Sequence, residues 1–115
     1  MTMQDARRLV LALPEVSEQD HHGMPSFRVR GKIFATVPGP GHLRLMLSED
    51  VTHAAVAADP GAFEELWWGK RLCGVSVRLD STDGDRFADL LEEAWRRKAP
   101  RALAKRLRGP SSRPA

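Results

Sequence analysis

The sequence predicts a single-domain α+β protein with a five-stranded antiparallel sheet in two layers, its helices gathered on one face. Three observations support this class. Apolar residues recur at helical spacing near both ends of the chain, they alternate with polar residues in its middle, and short turns separate the alternating segments. Consecutive strands joined by short turns favour antiparallel pairing. The predicted order of elements is therefore α-β-β-β-α-β-β-α-α.

Three predicted helices begin where a capping residue precedes apolar residues at helical spacing: Thr2 with Asp5 three residues later, Ser48, and Thr82 or Asp83. A fourth helix is expected to begin with Pro100. Pro14 ends the first helix, because proline cannot continue the backbone hydrogen-bond ladder. The polar segment from Glu15 to Pro25 contains Gly23 and is interpreted as a loop. The predicted helices cover about residues 3–13 and 49–58, begin again after Thr82 or Asp83, and resume at Pro100.

The first two strands are predicted to form a hairpin. Apolar side chains occupy one face of its first strand, and Arg28 and Arg30 occupy the other. Gly31-Lys32 has glycine first, which suits a type II′ turn, and this turn would place Val29 opposite Phe34. The five predicted strands cover about residues 26–30, 33–37, 43–47, 66–68 and 75–79.

Charge is unevenly distributed along the chain, whose net charge is +3. Residues 96–115 contain eight basic and no acidic side chains, whereas residues 1–95 contain 10 basic and 15 acidic ones. A basic segment suits a polyanion such as nucleic acid, because neutralised phosphates release condensed counterions. A solvated helix that aids solubility is an equally good interpretation. We predict a domain over 1–108 and a flexible tail over 109–115.

Residues 23–35 read Gly-Met-Pro-Ser-Phe-Arg-Val-Arg-Gly-Lys-Ile-Phe-Ala, and they resemble the MmcQ/YjbR family, whose members carry a G-x-P-x-F-x-V-x-x-K-x-F-A signature there. The likeness extends to Leu13-Pro14-Glu15-Val16, to the strand at 75–79 and to the segment 91–100. The chain departs from the family pattern at His22 and Gly74, where aromatic residues are common. The resemblance implies a two-layer fold with an antiparallel sheet, a DNA-binding label drawn from fold comparison, and no catalytic residues.

Basic side chains of the predicted sheet are the main candidates for DNA contact. Arg28 and Arg30 project from one strand with Lys32 at its tip, and Arg44 and Arg78 are expected to share this outer face. Guanidinium groups suit phosphates and guanine edges, and a β-ribbon can enter a groove. The alternative is a sheet face that arginine keeps soluble. The basic C-terminal helix is expected to provide a second anchor, with Arg97, Arg101 and Lys105.

Trp67 and Trp68 suggest a different function. Adjacent residues of a strand point to opposite sides, so we expect one indole in the core and the other at the surface. Exposed tryptophan is typical of interfaces. The alternative hypothesis is thus a domain that binds a protein or a small ligand here, without nucleic acid. A monomer is favoured over a homodimer.

No catalytic residue, metal site or cofactor is predicted, and we expect a non-enzymatic protein. Cys73 stands alone and is interpreted as a small buried hydrophobe. Glu64-Glu65 and Glu92-Glu93 are adjacent, so neither pair faces one site, and the adjacent His21-His22 are expected to point apart. The apolar run Leu9–Leu13 is too short to span a membrane. A cytosolic location is expected.

Overall fold

The computed structural model describes residues 1–107, and the predicted tail at 109–115 lies outside them. The α+β class and the antiparallel sheet are confirmed, but the sheet has six strands, so the prediction of five was wrong. The strands are β1 (Val16–His21), β2 (Met24–Val29), β3 (Lys32–Gly39), β4 (His42–Met46), β5 (Phe63–Trp68) and β6 (Arg71–Arg78). The α-helices of the described residues are α1 (Met3–Leu11), α2 (Glu49–Ala58), α3 (Gly84–Lys98) and α4 (Arg101–Ala104).

The additional strand, β1, lies in the segment that was interpreted as a loop. It pairs with β2 along its whole length, from Val16 opposite Val29 to His21 opposite Met24. Its sequence is Val-Ser-Glu-Gln-Asp-His, which is poor in strand-forming residues. The ladder with β2 outweighs that weak local preference. The observed order of elements is α-β-β-β-β-α-β-β-α-α.

The sheet order is β1-β2-β3-β4-β6-β5, so β1 and β5 are its edges. One face packs against the helices: paired strand residues such as Leu43 and Val77 are fully buried, and they form one core cluster with side chains from every α-helix. The helices contribute, among others, Val10 (α1), Ala55 (α2), Phe87 (α3) and Leu103 (α4). The opposite face carries no helix within residues 1–107, and we call it the open face. Its middle row, in register across all six strands, is Gln19, Ser26, Thr36, Arg44, Ser76 and Glu64.

Predicted helix caps are present in the structure. Thr2 and Asp5 form a full capping box at α1, and the Asp83 carboxylate accepts a hydrogen bond from the backbone N–H of Arg86 at α3. Helix α3 also carries Trp95, which is fully buried and donates its indole N–H to the backbone oxygen of Pro14 over 3.1 Å. This bond ties α3 to the connection between α1 and β1.

The β2–β3 turn differs from the predicted one. Arg30 and Gly31 have φ angles of 50° and 79°, and positive φ at both central residues is typical of a type I′ turn. Val29 therefore lies opposite Lys32 and not opposite Phe34, and a bulge follows at Phe27/Arg28. As a result Arg30 lies in the turn itself and not on a strand face.

Strands β4 and β6 approach each other closely at Gly74. Gly74 pairs with Met46 and has a φ of 155°, which residues other than glycine rarely adopt. There is also no space for a side chain, because a Cβ atom there would lie 1.9 Å from the backbone oxygen of Leu45. The backbone N–H of Leu47 also donates to the Cys73 oxygen over 2.9 Å. Glycine at this position lets β4 and β6 pair. None of the helices in the described part of the chain has the length and apolar character needed to cross a bilayer.

Candidate nucleic-acid interface

The four central strands of the sheet contain no acidic residue. Strands β2, β3, β4 and β6 together carry five cationic side chains, whereas every carboxylate of the sheet belongs to an edge strand. Charge is thus segregated within the sheet as well as along the chain. The five cations are Arg28, Lys32, Arg44, Arg71 and Arg78.

Three of these arginines share the open face, as the sequence predicted. Arg44 belongs to the middle row and pairs with Ser76. Arg28 is two residues after Ser26, and Arg78 is two residues after Ser76, so both lie on the same face as the row. Strand spacing and rise place the Cα atoms of Arg44 and Arg78 about 8 Å apart, and those of Arg28 and Arg44 about 12 Å apart. The three guanidinium groups follow a diagonal across the sheet, with hydroxyl side chains between them.

These three arginines form no ion pair with any carboxylate of residues 1–107. Arg28 donates from Nε to the Ser26 Oγ atom over 3.2 Å, a neutral contact that leaves its charge uncompensated. Glu64 ends the row beside Ser76 and is exposed. The middle of the open face is therefore positive. Within the row, whose six residues are all described, the one carboxylate is that of Glu64 at the border.

Arg30 is engaged elsewhere, so its expected place on the open face was wrong. Its Nε and Nη2 atoms donate to the two carboxylate oxygens of Glu15 over 2.6 and 3.0 Å, and Arg106 lies 3.4 Å from the same carboxylate. The hydrogen bonds from Arg30, assisted by both positive charges, hold the pKa of Glu15 below its ordinary value. Lys32 pairs with the core residue Val29 and is exposed at the helix side of the sheet.

The basic C-terminal segment lies on the helix side of the sheet. Arg97 in α3 and Arg101 in α4 are exposed, as is Lys105 after α4. Arg96 is held by Glu92 and by the backbone oxygen of Ala104, which docks α4 against α3. The two anchors predicted for DNA thus face opposite sides of the sheet and do not form one continuous surface.

Both tryptophans of β5 are exposed, so the expectation that one packs in the core was wrong. Trp67 is 52% exposed and Trp68 84% exposed. The Trp67 indole N–H donates to Glu65 Oε1 over 3.0 Å, and Glu65 also lies 3.5 Å from His53 of α2, so Trp67 is on the helix side. Alternation along the strand places Trp68, which pairs with Arg71, on the open face.

Histidine and cysteine side chains show two departures from expectation. The rings of His21 and His22 contact each other edge to face, with centroids 4.5 Å apart, although they were expected to point apart. Cys73 is partly exposed and its thiol lies 3.5 Å from the backbone oxygen of Arg71, so it is not a buried hydrophobe. Among residues 1–107, histidine, cysteine and carboxylate side chains do not gather in groups of three that could hold a metal ion.

Comparison with known proteins decides the family. The YjbR family model matches residues 11–97, well over half of the chain. The chain belongs to the YjbR family. A crystal structure of a Deinococcus radiodurans protein with a DUF419 domain is similar to this YjbR chain, with a TM-score of 0.74 and 20% identity over 97% of this chain and 91% of the other. That likeness shows the shared fold. No curated protein matches the sequence.

The hydroxyl row between the arginines and the place of Arg71 in the sheet were not predicted from the sequence. Ser26, Thr36 and Ser76 are short polar residues whose importance appears only when the strands are in register. One signal was present in the sequence: the segments 24–29, 32–39, 42–46 and 71–78 contain no aspartate or glutamate. In a chain with 15 acidic residues, this absence marks the strands that form the positive face.

Proposed function

We propose that this YjbR protein is a non-enzymatic, cytosolic module that binds nucleic acid through its open face. One observation carries the proposal: Arg28, Arg44 and Arg78 share a helix-free face and have no carboxylate partner among residues 1–107. Arginine binds phosphate through a planar fork of donors, and the partly exposed Ser76 hydroxyl beside Arg44 can also donate to a phosphate oxygen. The cytosol suits a chain with a single cysteine.

The basic C-terminal segment plays a secondary part in this proposal. Arg97, Arg101 and Lys105 are exposed on the other side of the sheet, so they add long-range attraction and do not contact the same stretch of nucleic acid as Arg44. The β2–β3 hairpin also contributes less to DNA contact than predicted, because Arg30 is paired with Glu15.

Titration of fluorescently labelled DNA at low salt, followed by anisotropy, tests the proposal. Arg44→Glu should weaken binding at least tenfold, because it places a negative charge in the middle of the face. Arg86→Glu is the matched control: it makes the same change of charge at an exposed site on α3 and should bind almost as well as wild type. Equal losses in both variants would mean that only net charge matters, and absence of binding by the wild type at low salt would refute the proposal.

The exposed tryptophans favour a second candidate function, a protein-binding surface at the tip of the β5–β6 hairpin. Trp67 is 52% and Trp68 84% exposed, and large apolar side chains are seldom left so open without a partner. This candidate predicts self-association that light scattering detects and that Trp67→Ser abolishes. Under the nucleic-acid proposal the protein is a monomer across the same concentration range.

A further inference from the structure

We propose that the open face selects single-stranded nucleic acid, with the Trp68 indole stacked on one base. The inference rests on the proposed function, since the phosphates are bound by the same arginines. Its own evidence is the placement of Trp68, which the phosphate contacts do not use. The indole is 84% exposed on the open face, close to Arg71.

A second row of residues crosses the open face beside the hydroxyl row, and this row is apolar. Met46 and Leu66 both pair with Gly74 and are partly exposed. Trp68 lies two residues beyond Leu66 on the same face, one row further along β5, where it pairs with Arg71. The open face thus offers guanidinium groups along a diagonal, and partly exposed apolar side chains on the side of Arg44 that leads towards Trp68.

Single strands match this division better than duplexes do. A single strand presents phosphates along one side and unpaired bases along the other, and bases stack readily on aromatic side chains. A duplex hides the faces of its bases and presents only phosphates and the base edges in its grooves. Six strands span about 24 Å, so the sheet cannot enter a major groove about 12 Å wide. On a duplex, Trp68 would have no base face on which to stack.

The Trp68 indole is also uncommitted within the protein. Among residues 1–107, no aromatic ring stacks on it and its N–H donates no hydrogen bond, whereas the indoles of Trp67 and Trp95 each donate one. A base can therefore reach its face without breaking an internal contact. Removing it should leave the fold unchanged.

Anisotropy titrations with a labelled 12-nucleotide oligo-dT and with a duplex of equal length test the inference. Trp68→Ala should weaken binding of the single strand fivefold or more, which is the low end for one stacked base, and leave duplex binding unchanged. Trp67→Ala is the matched control, because it removes the neighbouring indole from the other side of the strand. It should bind the single strand as wild type does.

The outcomes separate the inference from the proposed function. If wild type binds the duplex as tightly as the single strand and Trp68→Ala has no effect, the inference is refuted while phosphate binding by Arg44 stands. If wild type binds neither nucleic acid at low salt, both are refuted. Equal losses in Trp67→Ala and Trp68→Ala would also refute stacking, because only Trp68 lies on the open face.

Discussion

Substitution of Gly74 by alanine tests the close pairing of β4 and β6 on which the open face depends. The added Cβ atom would lie 1.9 Å from the Leu45 oxygen and 2.8 Å from the Leu47 nitrogen, whereas ordinary contacts begin at 3.4 Å. The two strands would have to separate by about 1.5 Å locally, beyond the length at which backbone hydrogen bonds persist. The bond from Leu47 to Cys73 is among those at risk.

The expected cost follows from these distances. Losing two backbone hydrogen bonds in a buried sheet, together with the disturbed packing of the adjoining core, amounts to about 3 kcal/mol or more. For a domain of this size, that corresponds to a fall in Tm of about 10 °C or more. Thermal unfolding followed by circular dichroism measures it directly.

Gly39 provides the matched control for this experiment. It lies at the end of β3 with a φ outside the positive region, and a Cβ atom there would meet nothing within 4 Å. Gly39→Ala should therefore shift Tm by no more than about 2 °C. If Gly74→Ala is as stable as Gly39→Ala, the approach of β4 to β6 described above is wrong, and with it the register that aligns Arg44 with Ser76.

Two further predictions concern charge. If Arg28, Arg44 and Arg78 each neutralise one phosphate, the logarithm of the binding constant for a single strand should fall against the logarithm of salt concentration with a slope of about −2, and Arg44→Ala should reduce the slope by about 0.7; an unchanged slope would exclude a phosphate contact at that residue. The Arg30 hydrogen bonds lower the pKa of Glu15 in the folded protein. The carboxylate therefore stabilises the fold fully at pH values above the pKa of an unfolded glutamate, about 4.3. This stabilisation is lost as the pH falls through the lower pKa of the folded state. Glu15→Gln should lower the urea midpoint at pH 7 and leave it equal to wild type at pH 2, and an equal deficit at both pH values would contradict the ion-pair explanation.

Helix caps and alternating strands were predictable because their causes are local. Thr2 with Asp5, and Asp83, sit where short-range hydrogen bonds begin a helix, and the structure shows those bonds. Strand β1 was missed for the opposite reason. Its four central residues are polar on both faces, and it is held by the ladder with β2 and by the paired hydrogen bonds from Arg7 to Glu18, over 2.9 and 3.0 Å. Only tertiary structure supplies these contacts.

The candidate site was predictable to the extent that it depends on period-two alternation. This rule placed Arg28, Arg44 and Arg78 on one face, as the structure does. It failed for Arg30, because a one-residue shift of the turn moved that side chain off the strand and towards Glu15. The separation of the C-terminal cations from the open face also depends on how α3 and α4 pack, which a linear charge pattern does not contain.

The spacing of the arginines on the open face has a consequence for how affinity can change. Arg28 and Arg44 are separated by about 12 Å and Arg44 and Arg78 by about 8 Å, distances at which the effects of substitutions usually add. None of the three side chains belongs to the hydrophobic core cluster. The changes in binding free energy caused by the three substitutions should therefore add. Measurements on the three single variants should then forecast the affinities of all eight combinations of arginine and alanine at these positions.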